Sequence, residues 1–598
     1  MAYEYGSTDL GIRNPFKQVG AIQSIQGILV TVIGIHSLFV VKGLVATHHR
    51  MQGWLMLAAG LLLLVWGLVS IGIGLFRAMR FFVGRGVPAS LAKNISKSEA
   101  SVTEVETAYT SQQIEQMLQG RKNVTFIEPS DWFSRFIYTV FPKFILLPYT
   151  YRNMAQRVIK AVAQTLLGFL CFGLAWFSGS TGLIAIQHTP ILNWAAMALA
   201  LYLMVVWFSI RNPLQQRLQT KTDPTSIPKI VFSIVAAIFL PFGLLMLHTT
   251  LLKLPMIPLH TGRWIAVICV FATMATIVFF FLLFQRVGRL DPQTEVSELR
   301  DNWQESIHPQ EIFIHFETIV MANRRYREVP NRVYREFDAR LFEEGSDDKG
   351  HFSGEMIQET QPAFSPIPFT QAYKLTRTLM SLLGHSLLAL SALWLYRAVG
   401  GFPLFSPGGG VGKEALLSSV ETLFMGAIFY VFGEIMANFS LAFWAEMQFE
   451  SLMIYFQCQG TYAASKLSTG ASLLDSTRSE NTVVRSSLTP WIIASRVVTS
   501  TFSKSGMKNL EHARHIIEMH KADTQLKMIA DEIREFLRNR QSIAEIKSDE
   551  DLRSASRIDQ LNKQSRMGYP GGQVPPIQIE NIAPGALIDD HSGKNTRQ

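Results

Sequence analysis

Residues 53–76 read GWLMLAAGLLLLVWGLVSIGIGLF, a run with no charged residue. As a helix it rises about 36 Å at 1.5 Å per residue, more than the ~30 Å hydrocarbon core of a bilayer. Lipid cannot hydrogen-bond a backbone, so a run of this kind must satisfy its own N–H and C=O groups, which a helix does within one segment. Similar runs occupy residues 21–46, 161–186, 192–210, 230–251, 264–284, 374–396 and 415–445. The sequence therefore predicts an all-α polytopic membrane protein of about eight transmembrane helices, with cytoplasmic helical segments and a disordered C-terminal tail. Only 17% of residues are charged, against ~25% in an average soluble protein. The N-terminal MAYEYGSTDLGIRNPFKQVG is too polar for a signal peptide, so the first apolar run is expected to stay as a span.

This pattern divides the chain into a first hairpin (1–76), a cytoplasmic loop with an interfacial aromatic segment (77–160) and a four-helix membrane region (161–285). A cytoplasmic helical segment (286–373), a last transmembrane pair with a long final helix (374–459), a cytoplasmic amphipathic region (460–565) and the tail (566–598) follow. The net charge of +9 is concentrated beside span ends. Arg77, Arg80, Arg85, Arg121, Lys122, Arg152 and Lys160 mark the 77–160 loop as cytoplasmic, and Arg211, Arg217, Lys221 and Lys229 mark the next inner loop. Both termini are expected inside. Lys42, His48, His49 and Arg50 fit least well, because the count places them outside. The segment 131–151 is aromatic-rich and broken by Pro142 and Pro148, which suits the membrane interface better than a clean span. Residues 324–344 interleave Arg with Tyr, but Glu328, Glu336, Asp338, Glu343 and Glu344 offset the charge, so no nucleic acid is expected.

Residues 413–459 contain no Pro and only two Gly after Lys413, and read as one helix of roughly 70 Å that leaves the membrane beyond Glu446. Inside that span stands Glu434, with Tyr430 and Asn438 one turn either side on the same face. A carboxylate at that depth points at protein or water. His385, mid-way along the preceding span, falls within ~6 Å of it in depth. Glu434, His385, Asn438 and Tyr430 thus form the candidate intramembrane polar group. It serves either as a packing contact or as a proton relay.

From 507 to 547 apolar residues recur every three or four positions, predicting an amphipathic helix. Its stripe, including Leu510, Ile516, Ile517, Ile529, Ile533 and Phe536, reads as a partner-docking face. Within it EHARHIIEMH places Glu511, His515 and Glu518 at helical metal-ligand spacing. With no second cluster to complete a site, these are read as ordinary solvated residues and no metal is expected. Three cysteines without a CxxC pair give neither a zinc site nor a disulfide framework. The GGGVGK ending at Lys413 fails as a phosphate loop, since Pro407 and Glu414 stand where Gly and Ser/Thr are required. No catalytic constellation is found, so neither an enzyme nor a cofactor is expected. The reading is a structural integral-membrane subunit of a larger bacterial envelope assembly, in contact with lipid and with other protein subunits. A transporter or channel using Glu434 is the alternative.

Overall fold

The computed structural model describes residues 13–46, 50–79, 111–120, 132–181, 189–211, 260–290, 293–305, 309, 312, 332–344, 349–360, 363–401, 413–469, 479–502 and 515–541. Among them, six helices are long and apolar enough to cross a membrane. These are α1 (Lys17–Ala46), α2 (Arg50–Met79), α5 (Tyr149–Ser180), α7 (Thr261–Val287), α8 (Gln371–Gly400) and α9 (Lys413–Ala445). A shorter apolar helix, α6 (Thr189–Phe208), packs with α5 and α7. Short helices α3 (Ser111–Leu118) and α4 (Trp132–Val140) precede α5, and α10 (Asp523–Gln541) is the last element. Of the expected eight spans, 230–251 lies outside the described residues.

The α1–α2 hairpin is closed by glycines seven residues apart. Gly20, Gly27 and Gly34 of α1 face Gly74, Gly67 and Gly60 of α2. A Cβ on Gly27 would come within 2.7 Å of the Ile71 backbone nitrogen, and one on Gly34 within 2.7 Å of that of Leu64. A seven-residue repeat keeps one seam facing the partner helix along its length, and the missing side chains let the backbones meet. Ser24 and Thr31 sit beside the seam and donate back to the Gly20 and Gly27 carbonyls.

Hydrogen bonds fix which helix ends share a side. Asn14 donates to the carbonyls of Arg77 and Ala78, joining the start of α1 to the end of α2. Tyr151 of α5 and Arg286 of α7 both donate to Glu446, just past α9. At the opposite end, Gln52 donates to the Gly400 carbonyl and the His260 backbone donates to Glu421. The chain is thus on the first side at Arg211, whose carbonyl bonds Asn438, and on the other at His260. Asn438 and Glu421 are about 25 Å apart along α9.

On the first side stands an antiparallel sheet of eight strands, in the order β1-β7-β6-β4-β3. The strands are β1 (Ser297–Arg300), β2 (Trp303–Glu305), β3 (Arg332–Glu343), β4 (Lys349–Glu359), β5 (Ala363–Phe364), β6 (Glu446–Thr469), β7 (Ser479–Phe502) and β8 (His515–Lys521). β2 and β8 also pair with β7, and β5 with β6. At 24 residues each, β6 and β7 form a ribbon about 80 Å long, paired from Glu446↔Phe502 to Thr469↔Ser479. Alternate residues serve two cores. Ile454, Phe456 and Cys458 lie under α10, while Met453 and Tyr455 lie under α3. Phe337 covers Gly354 and Phe352 covers Gly460, filling the gaps those glycines leave in the sheet face.

The sheet corrects the all-α expectation. The over-long helix from 413 stops at Ala445 and continues as β6. Because the centre of β6 is buried on both faces, residues 453–456 read as a continuous apolar run without a period of two. The cytoplasmic region 460–565, expected to be helical, contains β7, and the expected helical segment 286–373 contains β1 to β5. Of the expected 507–547 helix, the described residues 515–541 form β8 followed by the shorter α10. The turn between them is held by Ser297, which donates to Asp523 and accepts from the Ala522 backbone N–H. His515 and Glu518 therefore do not share a helix face. The loop 402–412 and the tail 566–598 fall outside the described residues.

Gly27→Leu is expected to lower the thermal unfolding midpoint of the detergent-solubilised protein, with overpacking costing about 1–3 kcal/mol. Gly72→Leu, at a position where a Cβ meets nothing within 4 Å, should leave it unchanged. Equal effects from the two would show that the seam does not hold the hairpin.

Candidate functional site

Two groups of polar residues lie inside the bundle. The first is the one expected from sequence. α8 and α9 run antiparallel and touch at Gly384, where a Cβ would lie 2.6 Å from the Ala437 nitrogen and 3.1 Å from the Gly433 carbonyl. This contact sets His385 and Glu434 at one depth. Glu434 accepts from Asn438 Nδ2 at 3.1 Å, and the same nitrogen donates to the Arg211 carbonyl at 2.9 Å. Tyr430, one turn back, packs edge-on against Trp66 of α2 at 5.9 Å. No hydrogen bond joins Glu434 to His385 among the described residues. Arg77, from the last turn of α2, stands within electrostatic range of both, and its Nη1 donates to Gln23 of α1 at 2.8 Å. The structure thus brings Glu434, Asn438 and Tyr430 together on one face and adds Arg77 and Gln23. It leaves His385 buried and separately placed.

The second group lies where the helices meet the sheet, and sequence reasoning missed it. Glu446 is the first residue of β6 and the first after α9. Its side chain is 0% exposed and that of its partner Arg286 is 2% exposed. Arg286 donates from Nε to Oε2 at 2.9 Å and from Nη2 to Oε1 at 2.8 Å, a two-pronged contact. Tyr151 donates to Oε2 at 2.9 Å and Ser500 of β7 to Oε1 at 2.8 Å. One carboxylate therefore ties α5, α7, α9, β6 and β7. Arg377 of α8 lies nearby, stacked 3.4 Å over the Trp444 ring and bonded to the Phe443 carbonyl. The signal available in sequence was a single charge at the end of each of two spans, Arg286 and Glu446. Residues at that position are ordinarily read as solvated.

His515 is buried in β8 beside this cluster. Burial pushes its imidazole well below the usual histidine range, and Arg152 pushes it the same way, against a hydrogen bond with the Leu146 backbone. The remaining residues of the expected docking stripe have separate places. Ile516 lies in the α3-covered core and Ile517 in the membrane-side core. Ile529 and Ile533 of α10 pack on the chain's own sheet. Leu510 falls outside the described residues. Phe536 is placed as part of α10, without a described side chain. The apolar face of α10 is therefore occupied by its own chain, which corrects its reading as a surface open to partners.

No family model, curated protein or solved structure matches the chain.

Arg286→Met alone should destabilise the protein by about 3–5 kcal/mol, because it strands a buried carboxylate. Pairing it with Glu446→Leu should recover most of that loss. A double variant no more stable than the single one would show that the pair does more than satisfy its own charges.

His515 gives a pH dependence of definite sign. Its folded value lies below its unfolded value of about 6.5, so both states are neutral above that pH and its contribution is complete there. As pH falls below 6.5 the unfolded state gains a proton that the folded state refuses. Stability then drops, by up to about 1.4 kcal/mol per pH unit. Melting curves of the wild type and His515→Gln between pH 7.5 and about 5 should diverge in slope. Parallel curves would remove His515 as the cause.

Proposed function

We propose that this chain is a structural integral-membrane subunit of a larger bacterial envelope assembly, of the secretion or conjugation-machine kind. It sits in the inner membrane with its sheet and both termini in the cytoplasm, where it docks protein partners. The observation that carries this reading is the fixed joint at Glu446. A subunit that anchors other components has to transmit force between bilayer and cytoplasm without hinging. Here the last membrane helix runs straight into the central strand of the sheet, clamped by Arg286, Tyr151 and Ser500.

The orientation rests on charge. Lys17, Arg77, Lys143, Arg152, Arg157, Lys160, Arg286, Arg289, Lys374 and Arg377 lie toward the sheet side of the helices. Lys42, Arg50, Arg263 and Arg397 lie toward the other. Basic residues gather on the cytoplasmic side. With the inner face of α10 occupied, partner contact falls to β3, the outer strand of the sheet among the described residues, where Asp338, Arg340 and Phe342 are exposed. An unpaired strand edge is a ready template for another chain.

A transporter or channel is the second reading, and Arg77 standing near both Glu434 and His385 favours it. The substitution Glu434→Gln separates the two. It keeps shape and hydrogen bonding but cannot gain or lose a proton. The scaffold reading expects unchanged activity of the parent system and an unchanged detergent-stable complex. An intact complex without activity would overturn it in favour of transport. Migration of the gently solubilised wild type as a lone chain would overturn it as well.

A further inference from the structure

We propose that a water-filled polar seam enters the helix bundle from the sheet side, between α1, α2 and α8, and ends blind at His385. On α1, Gln23, Gln26 and Val30 follow one stripe at spacings of three and four, and all three are buried. On α8, Ser381, His385 and Ala392 follow another, equally buried. The two stripes meet where Val30 and Ala392 share a core cluster, and again where the His36 and Tyr396 rings lie 5.6 Å apart. Counting back from those contacts puts Gln26 level with His385 to within about one turn.

At that level hydrogen-bonding capacity goes unused. Gln26 Nε2, Ser381 Oγ and both ring nitrogens of His385 have no hydrogen-bond partner among the described residues. Gln26 is 3% exposed, Ser381 0% and His385 5%. Buried polar groups are almost always partnered, and most strictly in a membrane, where lipid supplies neither donor nor acceptor. Amide, hydroxyl and imidazole on two adjoining helices give water the two to four polar partners it needs.

The seam has one polar end and one dry end. Toward the sheet, Gln23 accepts from the half-buried guanidinium of Arg77, a charged group at the sheet-side end of the seam. Away from the sheet, Val30, Leu63 and Ala392, with Ile33, Trp66, Leu395 and Tyr396 against them, form an apolar plug. Water therefore reaches mid-membrane from one side only. This property is independent of the scaffold role, which neither requires nor forbids it.

The test uses the full-length chain in sealed vesicles of both orientations. Cys171 and Cys269 are replaced by Ala. Cys458 stays, since it is buried and burial pushes its thiol well above the usual range. Ser381→Cys and Leu379→Cys are each exposed to a trimethylammonium methanethiosulfonate, a charged reagent that attacks thiolates. Leu379 is 53% exposed on the outer surface of α8, where lipid lies. The Ser381 variant should react at least about tenfold faster than the Leu379 variant, and only from the sheet side. Measurable reaction at equal rates in the two variants would overturn the seam.

A second measurement covers a seam too narrow for the reagent. X-ray radiolysis of the unsubstituted protein oxidises side chains beside bound water. His385 should be oxidised while Met436, buried in the apolar core, is spared. Oxidised His385 with an inert Ser381→Cys upholds the seam as a path for water alone. An inert Ser381→Cys together with unoxidised His385 shows a dry interior and overturns the proposal.

Discussion

Everything on the sheet side of the bundle depends on how a charged group is held where lipid and water meet. Glu446 stands at the point where one chain changes from helix to strand, and neither lipid nor bulk water reaches its carboxylate. Bringing two charges out of water costs several kcal/mol per ion, and the return depends on geometry and on filling the remaining hydrogen-bonding positions. Here both carboxylate oxygens accept from Arg286, with Tyr151 and Ser500 supplying one further donor each. Such a pair adds little net stability compared with well-packed apolar residues. What it adds is orientation. Each donor comes from a different element, so the carboxylate is satisfied only when α5, α7 and β7 are all in place.

The other half of the bundle is fixed without charge. Lipid is as apolar as leucine, so α1 and α2 gain nothing by hiding leucines from it. Association comes from close backbone approach, and the glycine pairs Gly20/Gly74, Gly27/Gly67 and Gly34/Gly60 supply it. The same device recurs on a smaller scale at Gly384 and Gly433. There it sets the depth of His385 and Glu434 relative to one another. At these seams small residues therefore position the polar ones.

The membrane half of this architecture was legible because bilayer thickness imposes a length and lipid forbids charge. Both appear directly in runs such as 53–76. The level of Glu434 with His385 was legible too, from span midpoints alone. The glycine seam was present as a seven-residue repeat but carries no hydropathy signal, so a search for apolar periodicity passes over it. The sheet was hidden for a different reason. Met453 and Tyr455 face one core while Ile454 and Phe456 face the other, so the centre of β6 shows no alternation. Nothing between Ala445 and Glu446 breaks a helix. At the C-terminus, Ile516 and Ile517 of β8 happen to continue the spacing of Leu526, Ile529 and Ile533 in α10, and two elements look like one. Distinguishing them requires knowing that Ser297, over two hundred residues earlier, holds the turn at Ala522 and Asp523.

A bilayer reverses the usual arrangement of side chains, and the reversal explains why hydropathy finds spans but not their faces. Ile25, Ile28, Leu29, Val32 and Phe39 of α1 are exposed on its outer surface, while Gln23, Gln26 and Ser37 are buried. In water that distribution would be unstable. In lipid it is favoured, because the outer residues meet an apolar solvent and the inner ones meet protein. The inner face of α1 is thus more polar than its outer face, and each polar side chain there has to find a partner. Ser24, Thr31 and Ser37 find one in their own helix, by donating to the carbonyl four residues back. Gln23 finds one in Arg77. Gln26, Ser381 and His385 find no such partner among the described residues and lie on the sheet side of the plug formed by Val30, Leu63 and Ala392. The position of these three residues follows from that geometry. They occupy the stretch of interface beside Arg77 and Gln23, on the sheet side of the first fully apolar layer.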